Sequence, residues 1–184
     1  MTSGDYQMRG SRVTGRSQAQ IRTSALHVRG VLQIDQVLDL PVFTEKLFHY
    51  GITIDVVEDH HPLFALAGVE ASCEVESATI YLTATTYEAV RFNVPRARFT
   101  ICHELGHLLL GHKKLLHRGA SNQPPRVFED SEWQADTWAA EFLMPLDQMR
   151  QLNLRSADQI QSKFGVSQQA ATNRAAYVQK KQLY

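Results

Sequence analysis

The sequence predicts an α+β fold, in which a small, mostly antiparallel three-stranded sheet packs against one long helix and several further helices. Three strand-like segments follow one another between residues 52 and 84, and segments with helical spacing dominate the chain after residue 84. Consecutive strands followed by consecutive helices are typical of α+β domains. The chain has 184 residues, 43% of them hydrophobic, which suffices for one domain with its own core.

The first two helices are expected at residues 20–37, where apolar side chains recur with helical spacing, and at residues 41–50. Pro41 suits the first turn of the second helix, and Gly51 suits its end. The alternating segment "ITIDV" then predicts a half-buried strand at residues 52–56. The segments "FALAGVEA" and "ATIYLTA" predict two more strands, separated by a polar turn.

The later helices are marked by their ends. Pro95 fits the first turn of a helix over residues 95–110, and Gly111 follows its last turn. The next helix is expected at residues 132–144, because Ser131 and Gln134 have the spacing of a capping box. The last forty residues predict two further helices, broken at "FGVS".

Three regions are expected along the chain. Residues 1–19 are predicted to be a flexible basic N-terminal tail, with an organellar transit peptide as the alternative. Residues 20–150 are predicted to form the main domain. Residues 151–184 are predicted to form a helix-turn-helix-like pair packed on that same domain.

Charge and cysteine content exclude several classes of protein. Nineteen basic residues balance nineteen acidic ones, so no net field favours a nucleic acid or a membrane surface. The chain has no apolar stretch long enough to span a membrane and no apolar segment typical of a secretory signal. Cys73 and Cys102 lack the spacing of a metal or disulfide framework. We therefore expect a soluble, cytoplasmic protein that does not bind membranes.

The helix predicted over residues 95–110 contains the pattern HExxH. His103 and His107 lie one helical turn apart, so both imidazoles project from one face and can bind a single metal ion. Neutral imidazole suits Zn²⁺. Glu104 lies at the edge of the same face, where it can accept a proton from a metal-bound water without being a ligand.

A third ligand must come from elsewhere. The spacing of the metzincin class is excluded, because Leu110 and Lys113 stand where that pattern needs glycine and histidine. Downstream carboxylates are the candidates: Glu129, Asp130, Glu132, Asp136 and Glu141. Glu132 and Asp136 are favoured, since they share one face of a largely apolar helix. Glu132 can then complete the site, and Asp136 can accept the free ring N–H of a ligand histidine.

The segments "RARFTICHELGHLLLGH" and "EWQADTWAAEFLMP" resemble the paired signature of the ImmA/IrrE metallo-endopeptidases, a family with a minimal zincin-like domain. The resemblance is strong over residues 96–145 and weaker over residues 40–177. It implies one Zn²⁺ per chain held by His103, His107 and Glu132, with Glu104 as catalytic base and Asp136 behind a ligand. Cys102 and Trp138 depart from the residues usual in the family and are interpreted as packing changes.

The resemblance also implies an activity. Such enzymes cleave a regulatory protein, commonly a helix-turn-helix repressor or an antitoxin, in toxin-antitoxin or transcription-regulation systems. The alternative is a zinc-stabilised binding or sensor module that acts on a transcriptional regulator without cleaving it. Direct DNA binding through residues 156–178 is a third, less favoured hypothesis, because the second helix there carries only Arg174, Lys180 and Lys181 as basic residues.

Three further side chains are candidates for contact with substrate or for oxyanion stabilisation: His112, His117 and Tyr81. The strand at residues 79–83 is a candidate edge for pairing with an extended peptide. The basic loop over residues 113–126 connects the two predicted metal-binding helices, and both a substrate-gating role and a plain connection fit its composition.

Overall fold

The computed structural model describes residues 6–35, 37–64, 69–113 and 124–183. In these residues the chain forms three strands and eight α-helices, which confirms the predicted α+β class. The strands are β1 (Thr53–Val57), β2 (Ala71–Glu74) and β3 (Thr79–Thr83). The helices are α1 (Gln18–Val31), α2 (Leu40–His49), α3 (Ala84–Arg91), α4 (Pro95–Leu110), α5 (Ser131–Leu143), α6 (Leu146–Gln151), α7 (Ala157–Phe164) and α8 (Gln168–Lys180).

The sheet has three strands, as predicted, in the order β1-β3-β2. Its pairing is mixed: β2 is antiparallel to β3, whereas β1 is parallel to it. The parallel pair arises because the chain leaves β1, passes through β2 and returns, so that β3 lies in the middle. The segment at residues 79–83 is therefore not the peptide-binding edge that the sequence suggested. The edges of this sheet are β1 and β2.

Several predicted boundaries shift in the structure. The first helix ends at Val31, six residues early, and Gln33 just beyond it has a left-handed backbone with φ of 51°. Of the strand predicted at residues 64–71 ("FALAGVEA"), only the two ends are assigned: Phe64 closes a 3-10 turn (Pro62–Phe64) and Ala71 begins β2. Residues 65–68 lie outside the described residues. Helix α3 was not predicted, because its sequence is rich in the β-branched and aromatic residues that favour strands.

Helices α4 and α5 form the centre of the domain. Helix α4 begins at Pro95 and ends at Leu110, and the next residue, Gly111, has the left-handed backbone expected of a glycine that follows a helix, with φ of 68°. Gly106 lies where α5 crosses: a Cβ there would be 3.2 Å from the carbonyl oxygen of Ala135 and 3.3 Å from Cβ of Trp138. The absence of a side chain at Gly106 therefore lets the two helix backbones approach closely.

The start of α5 differs from the predicted capping box. The N-terminal cap is Asp130, whose carboxylate accepts a hydrogen bond from the backbone N–H of Glu132 at 2.9 Å. Ser131 is already in the first turn of the helix. Gln134 does not reach back to a cap residue but donates from Nε2 to the carbonyl oxygens of Thr14 and Phe128.

The described part of the predicted N-terminal tail packs against the domain, which the sequence did not indicate. Residues 6–17, called the N-terminal segment below, form hydrogen bonds with the chain just before and within α5. Its residue Arg12 pairs with Asp130 as an antiparallel bridge. Helix α1 then begins at Gln18, within the range expected to be a tail.

The C-terminal helices share the core of the domain. Ile160, Phe164 and Val178 are buried in the same apolar cluster as Leu105 and Trp138. The sequence predicted two helices in the last forty residues. The described chain forms three there, because the short helix α6 precedes the expected pair, α7 and α8. Within the part of the chain that the structure describes, no helix is both long and apolar enough to cross a membrane.

Candidate metal centre

The three predicted ligands meet at one point between α4 and α5. Nε2 of His103 and Nε2 of His107 are 3.0 Å apart, and the two oxygens of Glu132 lie 3.2 Å and 3.3 Å from them. Tetrahedral ligand atoms about 2.0–2.1 Å from a zinc ion would be separated by about 3.3 Å. The donor set and its spacing therefore fit one metal ion, and His103, His107 and Glu132 can hold it.

His103 is oriented by a carboxylate on the side away from this point. Its Nδ1 lies 2.9 Å from Oδ1 of Asp136, so the ring N–H donates there and Nε2 faces Glu132. Burial opposes a charge on Asp136, yet the hydrogen bonds and charges of His103 and Arg9 outweigh that effect and lower the pKa of Asp136. Asp136 thus lies on the side of His103 away from the other candidate ligands, where it can orient the imidazole.

His107 is oriented by a second chain of hydrogen bonds. Nε2 of Gln134 donates to two backbone carbonyls, so its Oε1 accepts from Nε2 of His112 at 3.1 Å. With that proton on Nε2, Nδ1 of His112 accepts from Nδ1 of His107 at 3.0 Å. The direction of this chain leaves Nε2 of His107 directed at Glu132 and at the other histidine.

The electrostatics of the centre favour a positive charge. Burial lowers the pKa of His103, but the hydrogen bonds to Asp136 and Glu132 overcome this and raise it to about 10. The hydrogen bonds of His103 and His107 in turn lower the pKa of the Glu132 carboxyl well below its ordinary range. The carboxylates of Glu132 and Asp136 place negative charge around the two imidazoles. A proton on an imidazole or a bound divalent metal ion can balance that charge.

Glu104 lies beside the ligands without being one of them. Burial raises the pKa of its carboxyl, although the nearby histidines lower it in part. The side chain of Cys73, on the edge strand β2, forms a hydrogen bond with this carboxyl. A raised pKa suits a group that must accept a proton near neutral pH and release it again.

The remaining candidates fall elsewhere. His112 is buried and holds His107 with one ring nitrogen and Gln134 with the other, so it is not free to contact a substrate. Tyr81 is half-buried in the central strand, and no hydrogen bond joins it to the three ligands among the described residues. Residues 114–123 of the loop between α4 and α5, which include His117, lie outside the described residues.

The other downstream carboxylates have partners within the protein itself. Glu129 pairs with Arg12 at 2.8 Å, and Asp130 caps α5. Glu141, which is fully buried, accepts hydrogen bonds from Arg22 and Arg174. Arg174 is 4% exposed, which removes from solvent one of the three basic residues of the DNA-binding hypothesis.

A cavity of about 660 Å³ borders the centre on the side of Asp136. Its walls come from α4, α5 and α8, with Phe99, Trp133 and Tyr177 among the apolar side chains and Asn173 among the polar ones. Phe99 also lies beside the imidazole of His103, with ring centroids 6.4 Å apart. The cavity is thus large enough for several side chains, and it extends to Asp136, the carboxylate that accepts a hydrogen bond from His103.

Two contributors to the centre were missed from the sequence: Gln134 and the N-terminal segment. Gln134 lies on the same face of α5 as the helix contact with α4, and its burial could have been inferred from the surrounding apolar residues. The N-terminal segment carries no motif, and its contacts join residues about 120 positions apart. The only sequence feature that could have indicated these contacts is the excess of arginine in the segment, and it was interpreted as the charge of a flexible, solvated tail.

Comparisons with known proteins bear on the fold and on the family of the chain. A similar fold occurs in a Mycobacterium tuberculosis transcriptional regulator, with a TM-score of 0.55 and 14% identity over 83% of this chain. The chain spans 45% of the length of that protein. No curated protein matches at a significant level. The model of the IrrE N-terminal-like peptidase domain matches residues 79–176, which are more than half of the chain and include the three candidate ligands. The chain therefore belongs to the IrrE N-terminal-like (M78) peptidase family, as its resemblance to the ImmA/IrrE proteins implied.

Proposed function

We propose that this protein is a zinc-dependent endopeptidase that cleaves a cytoplasmic regulatory protein. The convergence of His103, His107 and Glu132 on one point, with Glu104 beside them, is the observation that carries the proposal. Membership of a peptidase family supports hydrolysis as the reaction. The nature of the substrate, a helix-turn-helix repressor or an antitoxin, follows from the resemblance to the ImmA/IrrE proteins.

Each side chain of the centre has a defined task. The Nε2 atoms of His103 and His107 and the carboxylate of Glu132 would hold a zinc ion, which would supply a Lewis acid able to polarise a carbonyl and to lower the pKa of water. Asp136 and His112 keep the two imidazoles in the tautomer that presents Nε2. Glu104 accepts the proton of the attacking water and passes it to the leaving amine, and the burial that raises its pKa suits both transfers.

The surroundings of the centre suit a protein substrate. The cavity beside Asp136 is lined mainly by apolar and uncharged polar side chains, which can accept residues flanking the cleaved bond. The edge strand β2 carries Cys73, which contacts Glu104, so an extended peptide paired with β2 would pass close to the catalytic base. The peptide would then lie along one sheet edge, with side chains on both faces.

The decisive experiment compares the zinc-loaded protein with its Glu104→Gln variant. Both are incubated with a library of peptides derived from a bacterial proteome, and new termini are identified by mass spectrometry. We expect Glu104→Gln to bind zinc in the same stoichiometry and to cleave about 10²- to 10⁴-fold more slowly. Glu88→Gln, a change at an exposed ion pair on α3, is the matched control and should cleave at the normal rate.

Two outcomes would contradict the proposal. Cleavage at an undiminished rate by Glu104→Gln would show that this carboxylate is not the base. Stoichiometric zinc binding without any new termini, in the library or in a co-encoded regulator, would instead favour the alternative of a binding or sensor module. In that case the regulator should remain intact in a stable complex with the zinc-loaded protein.

A further inference from the structure

The N-terminal segment, residues 6–17, runs along the chain that leads into α5. The backbone N–H of Val13 donates to the carbonyl oxygen of Glu129 at 2.8 Å, and that of Ser131 donates to the carbonyl oxygen of Ser11 at 3.0 Å. The segment thus pairs with residues 127–131 much as an added strand does. This pairing places it next to the turn of α5 that carries Glu132.

The segment holds the cap of that helix. Three of its groups donate to the carboxylate of Asp130: the hydroxyl of Tyr6 at 2.7 Å and the backbone N–H groups of Arg9 at 2.9 Å and Gly10 at 3.1 Å. The same carboxylate accepts from the backbone N–H of Glu132. The position of the first turn of α5 therefore depends on the segment as well as on its own cap.

Gly10 lies against the ligand itself. A Cβ on Gly10 would be 2.7 Å from Cγ of Glu132 and would also overlap Oγ of Ser131. Contacts this close show that the backbone of the segment touches the side chain of Glu132 and leaves no room for a methyl group. The segment therefore limits the directions in which the Glu132 carboxylate can point.

Arg9 acts on the outer partner of His103. Its Nη2 donates to Oδ2 of Asp136 at 2.7 Å, while Oδ1 of the same carboxylate accepts from His103 at 2.9 Å. Each oxygen of Asp136 thus has one donor, and the guanidinium fixes the plane of the carboxylate. Arg9 is more than half exposed, so a simple contribution of this pair to stability is expected to be small.

Arg16 acts on the outer partner of His107. Its Nη1 donates to Oε1 of Gln134 at 2.9 Å, and the carbonyl oxygen of Thr14 accepts from Nε2 of the same amide at 2.9 Å. The segment therefore holds both ends of the amide that orients His112, which in turn orients His107. The amide cannot rotate without breaking both contacts.

We propose that the N-terminal segment is a positioning element of the metal centre, with Arg9 and Arg16 as its positioning residues. Each of the three ligands is reached by a different part of the segment: His103 through Arg9, His107 through Arg16, and Glu132 through Gly10. The segment lies before residues 79–176, which the family model matches, so it is a feature of this chain beyond that domain. The inference rests on the proposed zinc site.

The test measures zinc affinity directly, by competition with a chromogenic chelator at fixed pH and ionic strength. We expect Arg9→Ala and Arg16→Ala each to weaken zinc binding about threefold to tenfold, less than the ten- to hundredfold typical of a direct outer partner. The double variant should lose about the product of the two factors, because the residues act on different ligands. Arg9→Lys should recover part of the loss, since an ammonium group can still donate to Asp136.

Arg91→Ala is the matched control, because it removes an exposed arginine from an ion pair on α3. All variants should keep the far-UV spectrum and the denaturant midpoint of the chelator-treated protein. Should Arg9→Ala fail to fold, Gly10→Ala provides a second test: its methyl group must displace Glu132 or Ser131 and should weaken zinc binding in a folded protein.

Unchanged zinc affinity in the folded double variant would overturn the proposal. If that variant also cleaved peptides faster, the segment would be an inhibitor that blocks the cleft and not a positioning element. A failure of the zinc site itself is distinguishable: the unsubstituted protein would bind no zinc, or His103→Ala would bind it as well as the unsubstituted protein does.

Discussion

Helix α5 carries acidic side chains towards both of its ends, and these side chains serve different purposes. Near its start, Glu132 and Asp136 face the imidazoles of α4 and remain about one-third exposed. Near its end, Glu141 is fully buried and accepts hydrogen bonds from Arg174 at 2.8 Å and 3.1 Å. Arg22 adds two more hydrogen bonds to the same carboxylate.

The partners of these carboxylates, rather than their burial, decide what each can do. Burial would raise the pKa of Glu141, but two guanidinium groups outweigh it and keep this carboxyl ionised. Arginine is permanently charged, so the group of Glu141 is already neutralised and has no need of a metal ion. At the start of α5, Arg9 is the one arginine among the described residues that is paired with these two carboxylates, and it balances only Asp136. Imidazoles are neutral unless they take up a proton, so the group of Glu132 and Asp136 retains a negative charge that a metal ion can balance.

The largest effect is expected at the end of α5. Glu141→Ala leaves the guanidinium of Arg174 buried without a counter-charge, which should lower the free energy of unfolding by about 3–5 kcal/mol. The zinc stoichiometry of the folded fraction should not change. Urea denaturation of the chelator-treated protein measures the first quantity, and metal analysis of the folded protein measures the second.

A double variant isolates the role of the pair. Glu141→Met combined with Arg174→Met replaces two buried charges by apolar side chains, and it should be markedly more stable than Glu141→Ala. A loss below about 1 kcal/mol in Glu141→Ala would show that this ion pair does not hold the end of α5. Loss of zinc in that variant would show that the two ends are not independent.

The second effect belongs to the start of α5. Asp136→Ala removes the acceptor that orients His103 and should weaken zinc binding about 10- to 100-fold, equivalent to about 1.4–2.7 kcal/mol. Stability of the chelator-treated protein should change by less than about 1 kcal/mol, because the pair of Asp136 with Arg9 is partly exposed. Titration with a competing chelator measures the affinity, and unchanged affinity would contradict this prediction.

The residues of the candidate metal centre could be selected from the sequence because local rules place them. Pro95 and Gly111 mark the ends of α4, and the four-residue spacing of His103 and His107 fixes their common face. Glu132 followed from a carboxylate in the first turn of the next apolar helix. These features depend on spacing within a few residues, which a sequence displays directly.

The residues that form hydrogen bonds to the candidate ligands from outside the centre could not be predicted in the same way. His112 was expected to contact the substrate or an oxyanion, whereas in the structure it forms a hydrogen bond with His107, because the left-handed Gly111 turns the chain back. The N-terminal segment contacts α5 across about 120 residues, and the order β1-β3-β2 likewise depends on tertiary packing. A charged, serine-rich sequence gives no sign of such long-range partners.

The smallest expected effect tests how far a disturbance at the end of α5 travels. Ser156 caps α7 through a reciprocal capping box with Gln159, and α7 packs on α8, which carries Arg174. Ser156→Ala should lower the free energy of unfolding by about 1 kcal/mol, because one N–H group at the start of α7 loses its acceptor. Zinc affinity should remain within error of the unsubstituted protein.

The control for this variant is Ser77→Ala, which removes an exposed serine hydroxyl that caps no helix. It should change neither stability nor zinc affinity by a measurable amount. Weaker zinc binding in Ser156→Ala alone would mean that strain passes from α8 through Arg174 and Glu141 along α5 to Glu132. The carboxylates at the two ends of the helix would then act as one coupled unit, with the ion pair setting the position of the metal ligand.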